Sequence, residues 1–182
     1  MKRRSALWAV AVGGSIAAAL DITFAISFAA FHGLPPERLL QSVASGLLGK
    51  AAYTGGLPTA ALGLLLHFVM SLLFAAAFVL ASKRISVLPR QPVVCGALFG
   101  AGVFVFMRLV VLPLSAFPHP VSFKPLATVL DLLSHVFLFG VPIALMARKF
   151  LSIDPALLPS RSASTAGEFK LRRPSRSLPK AS

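Results

Sequence analysis

The chain has 182 residues, 57% of them apolar and only 13% charged, with a formal charge of +13 and a single cysteine. A soluble domain carries roughly 25% charged residues, so this composition excludes a water-soluble monomer. The lone Cys95 excludes an intramolecular disulfide and any cysteine-based metal cluster.

The apolar residues fall into long blocks, each near the ~20 residues a helix needs to cross a ~30 Å hydrocarbon core. An outer-membrane barrel would show ~10-residue segments of alternating polarity instead. The basic residues sit between and after those blocks, not in a stripe with interleaved aromatics. That placement is the mark of membrane topology and argues against nucleic acid as a partner.

In chain order, Lys2, Arg3 and Arg4 precede an apolar run from Ala6 to Phe31. The run is longer than the apolar core of a signal peptide, and Asp21 interrupts it where a cleavage site should approach. It reads as a first span over about 6–31. Pro35, Pro36 and Glu37 form a helix start, with proline early and an acid in the first turn. Leu39, Leu40, Val43, Leu47 and Leu48 follow at near-helical spacing, which predicts a short amphipathic helix over about 36–50 at the membrane interface. Gly55-Gly56 marks a turn.

A second span is expected over 59–81. The loop after it contains Lys83, Arg84 and Arg90 and no acid. A third span covers 93–113, followed by a loop with Pro118, Pro120 and Pro125. The fourth, 126–147, carries Pro142, expected to kink it, and is closed by Arg148 and Lys149. Residues 151–182, rich in Ser, Pro and Arg, read as a disordered basic tail. The expected fold class is an all-α integral membrane protein, with a 1–150 domain of four transmembrane helices plus a short interfacial amphipathic helix.

Orientation follows from the basic residues. Only Arg38, Lys50 and Lys124 lie in the two connectors on one side; the start, the 82–92 loop, Arg148, Lys149 and the tail carry the others outside the spans. Positive charge marks the cytoplasmic side, which puts both termini in the cytoplasm.

Five ionisable residues fall inside the spans: Asp21, His67, Arg108, Asp131 and His135. Each is costly in lipid and so should face protein or water. At ~1.5 Å per residue all five share one layer in the outer half of the membrane. Asp21 stands in a stripe with Gly14, Ala18 and Ala25, and His67 with Gly63 and Ser71. Arg108 continues the ridge of Gly96 and Gly100, a GxxxG pair that admits close helix packing. Asp131 and His135 are an i,i+4 pair in line with Thr128. The polar faces should therefore converge, with Arg108 pairing to Asp21 or Asp131.

Two readings of the layer lead, ahead of a His/His/Asp metal site and of a membrane-embedded enzyme using the His/Asp layer. The first, which the sequence favours, is a structural clasp in an accessory protein or subunit. The second is a small transporter or a proton or solute path, since Asp and His chains serve such routes. The segments Gly63-Leu64-Leu65-Leu66-His67 and Asp131-Leu132-Leu133-Ser134-His135 also share a pattern, as a duplicated two-helix unit would. No G-x-S-x-G, H-E-x-x-H or Walker loop occurs, so no catalytic residue, cofactor or metal site is assigned. The expected partners are the lipid bilayer and a second copy or another membrane protein.

The order of His67, of Gly96-Ala97-Leu98-Phe99-Gly100, of Val111-Leu112-Pro113-Leu114-Ser115 and of Ser134-His135 resembles bacterial inner-membrane proteins of the YagU type. The likeness covers about residues 59–148. It implies this topology and a bacterial inner membrane, and brings no activity with it.

Overall fold

A computed structural model describes residues 3–151. The tail expected over 151–182 lies outside the described residues from 152 onward. The helices are α1 (Arg3–Phe31), α2 (Pro36–Leu48), α3 (Gly56–Ser82), α4 (Val87–Arg90), α5 (Pro92–Leu114) and α6 (Pro125–Leu151), and a 3₁₀ turn, Gly49–Thr54, links α2 to α3. No strand occurs among the described residues. Four helices, α1, α3, α5 and α6, are long and apolar enough to cross a bilayer, with mean hydropathy between 1.9 and 2.5. The protein is an all-helical, multi-pass membrane protein.

Prolines set the helix starts. Pro92 and Pro125 open α5 and α6, and Pro36 opens α2, at positions where the missing N–H has no intrahelical partner to lose. Gly56 adopts φ +59°, a left-handed conformation that reverses the chain. The helix then begins ahead of Pro58 instead of after it, because proline fits the first turn.

Lipid removes most of the hydrophobic driving force between spans, so close van der Waals packing has to hold the bundle. Small residues supply it. Ala9, Ala17, Ala75, Ala144 and Ala147 are fully buried. α1 packs against both α3 and α6: Gly14 faces Leu72 and Ala75, and Gly13 faces Ile143 and Met146. α5 packs on α6 through the predicted ridge. Gly96 lies against the Gly140 carbonyl and Ala144, and Gly100 against the His135 carbonyl and Val136.

Both α5 and α6 widen into π-helical stretches, Met107–Val111 and His135–Gly140. Each lies just before a proline, Pro113 and Pro142. A proline inside a helix offers no N–H and presses on the carbonyl four residues back. Widening the preceding turn accommodates both defects, and such bulges gather at functional sites. Ahead of Pro142, the position of the expected kink, the helix changes type locally. Arg108 and His135 sit within these stretches.

The amphipathic α2 is docked onto the bundle, with Gln41, Ala44 and Ser45 buried. The Leu40 carbonyl seats directly against Gly63 of α3, where a Cβ would collide with it. Gln41 Nε2 donates to Glu37 Oε1 at 3.1 Å and to the Gly56 carbonyl at 3.2 Å. Arg38 donates to the Tyr53 carbonyl at 3.0 Å. On the other side the Ala116 N–H donates to the Gly46 carbonyl at 2.9 Å. α2 thus bridges the start of α3 and the loop that follows α5.

Candidate functional site

The five intramembrane ionisable residues come together, at the half of the bundle nearer α2. At ~1.5 Å per residue, Arg108 and Asp131 lie ~9 Å in from the ends of their helices, and Asp21, His67 and His135 ~15 Å. The packing of α5 on α6 decides which aspartate Arg108 meets. Along the ridge Gly96, Gly100, Phe104, Arg108, each step faces a residue of the antiparallel α6, and the last faces Asp131. Arg108 Nη2 donates to Asp131 Oδ2 at 2.8 Å. Nη1 donates to the Ser122 carbonyl at 2.6 Å. The guanidinium also stands over the Phe104 ring at 5.4 Å and the Phe123 ring at 5.5 Å.

Asp21 has different company. It is 6% exposed, and Ser134 Oγ lies 2.9 Å from its Oδ1, the hydroxyl's one hydrogen shared between Asp21 and the Asp131 carbonyl at 3.0 Å. His67 and His135 approach from either side: His67 Nε2 is 3.9 Å from Oδ2 and His135 Nδ1 3.8 Å from Oδ1. These distances are too long for hydrogen bonds. Both nitrogens are committed elsewhere. His67 Nε2 is 3.1 Å from the Ala18 carbonyl, which can only accept, so that nitrogen carries the hydrogen. By the same argument His135 Nδ1 donates toward its own helix, 2.9 Å from the Asp131 carbonyl and 3.2 Å from Asp131 Oδ1.

Comparison with protein-family models, with curated proteins and with solved structures finds no match. What this layer can do has to be read from its chemistry.

All five residues line one cavity of about 660 Å³, within the size range of small-molecule sites. Its floor and walls are largely apolar, with Phe74, Phe104, Phe139, Met70 and Met107 among them; α2 and the loop at 117–122 contribute the side nearest the bundle's end. Among the described residues, no group of three or more His, Cys, Asp or Glu side chains has a geometry that could hold a metal ion.

Gly96 and Gly100 stand outside the cavity lining and serve helix packing. Thr128, in line with Asp131 and His135, has a buried hydroxyl without a hydrogen-bond partner. The sequence reading missed Ser134 as the donor to Asp21, although it stands beside His135. It also missed the Ser122 and Ala18 carbonyls, which fix Arg108 and His67. Backbone acceptors leave no signature in side-chain pattern.

Proposed function

We propose that the protein is a small solute-binding or transport component of a bacterial inner membrane, with the cavity as its binding site and the Asp/Arg/His layer as the polar part of that site. The observation that carries this reading is that Asp21, His67, Arg108, Asp131 and His135 all line one largely apolar cavity. A layer serving only as a clasp needs no space beside it. Charge in the bilayer interior by default marks a solute or ion path, and apolar walls with a few convergent polar groups are the usual form of a small-molecule site. The resemblance to YagU-type proteins and the basic 82–92 loop support the inner membrane, with α2 facing outward and both termini in the cytoplasm.

The clasp reading keeps one part of the layer. Arg108 and Asp131 tie α5, α6 and the loop at Ser122 together, which supports a structural share for that pair.

Cysteine accessibility tests the proposal. Met70→Cys and Met107→Cys, each in a Cys95→Ser background, place thiols on the cavity wall. In intact cells a small, membrane-impermeant thiosulfonate applied from outside should modify both. Thiols that stay unmodified in cells and in detergent would overturn the reading.

A further inference from the structure

We infer that the cavity takes a lipophilic monovalent organic cation, with Asp21 as its counter-charge. The inference rests on the reading of the cavity as a solute site and names the class of solute.

The charges lining the cavity do not balance internally. With neutral imidazoles, the lining holds two carboxylates, Asp21 and Asp131, against one guanidinium, Arg108. Arg108 and Asp131 answer each other at 2.8 Å. Asp21 is left over. Its Oδ1 accepts from Ser134, and its Oδ2 receives no hydrogen bond from any described residue. His67, the nearest nitrogen to Oδ2, directs its N–H to the Ala18 carbonyl. A carboxylate this buried requires a compensating positive charge or a proton; His67 and His135, within 4 Å of it, supply that charge only when protonated, and their N–H groups are turned away to the Ala18 carbonyl and to Asp131.

The same geometry disfavours an anion. Nη1 and Nη2 of Arg108 are both engaged, and phenyl rings stand near its planar face. An incoming carboxylate or phosphate would meet a guanidinium whose charge Asp131 already answers. Calcium or magnesium fits poorly as well, since these ions ask for a shell of about six or more oxygens and Phe, Met, Leu and Val dominate the apolar part of the walls here. Aromatic faces suit an organic cation with an apolar body, whose charge is diffuse and weakly hydrated. Phe74, Phe104 and Phe139 supply such rings within the lining.

Equilibrium binding of radiolabelled tetraphenylphosphonium to the purified full-length protein in neutral detergent tests this, with tetraphenylborate as a probe of the same shape and opposite charge. Saturable phosphonium binding is expected, and tetraphenylborate, measured in a separate assay, should bind no more than it does to empty detergent micelles. Asp21→Asn retains an oxygen for Ser134 and should weaken phosphonium binding at least about tenfold. Preferential binding of tetraphenylborate would overturn the inference, as would an Asp21→Asn variant that binds phosphonium like the wild type. If Asp21→Asn fails to fold, the comparison of the two probes on the wild type decides. If the cavity cysteines react from outside but phosphonium does not bind, the solute-site reading stands and the cation inference falls. If the cysteines stay closed and phosphonium does not bind, both fall.

Discussion

Arg108 of α5 and Asp131 of α6 are joined at 2.8 Å across the same helix pair that Gly96 and Gly100 bring together. Close approach at the glycines and ion pairing farther along the ridge are parts of one interface. Removing one member of a buried pair strands the other charge, at typically ~3–5 kcal/mol, while removing both can be nearly neutral. Asp131 retains 37% side-chain exposure toward the cavity, so a cost toward the lower end of that range is expected. Arg108→Leu should lower the yield of folded protein in membranes. Adding Asp131→Leu should restore much of it, and adding Asp21→Asn should not. Equal rescue by either aspartate, measured by thermal unfolding of purified variants, would contradict the pairing.

The glycines of α5 offer a sharper contrast. A methyl group at Gly100 would collide with the His135 backbone carbonyl, whereas one at Gly102 meets nothing within 4 Å. Backbone cannot yield as a flexible side chain can, and overpacking typically costs ~1–3 kcal/mol. Gly100→Ala should therefore destabilise the protein by about that amount, and Gly102→Ala should be neutral. A matched pair of melting curves in detergent checks this; similar melting temperatures for the two variants would contradict the close approach of α5 to α6.

Topology makes an independent prediction. Reporter fusions after Arg90 and after Lys149 should read as cytoplasmic, and fusions within 50–58 or 118–124 as external. The reverse pattern would turn the cavity's α2 side toward the cytoplasm and remove outside access to the site.

Much of this architecture was legible because membrane helices announce themselves. Long apolar blocks fix the spans, and a period of four residues fixes the packing face, so the ridge from Gly96 to Arg108 could be traced in the chain. The choice between Asp21 and Asp131 could not. Both share one layer, and only the packing of α5 on α6 brings Asp131 opposite Arg108. The cavity was equally hidden, since empty space depends on how α2 and the loop at 117–122 sit over the bundle. The π-helical stretches were half visible: Pro142 announced a disturbance, but a proline alone does not say whether a helix bends or widens.

Those two widened stretches give α5 and α6 stored length. A π turn holds about one residue more than the α turn it replaces. If such a stretch tightened to α geometry, the segment beyond it would rotate by on the order of 100°, the angle between successive residues of an α-helix. In α5 that segment leads into Leu112 and Ser115, and in α6 the stretch begins at His135, all of which line the cavity. The glycine contacts of α5 precede its stretch at Met107. Screw-like rotation of the short end of α5 beyond Met107 would therefore reshape the cavity mouth while the helix pair stays clamped at Gly96 and Gly100.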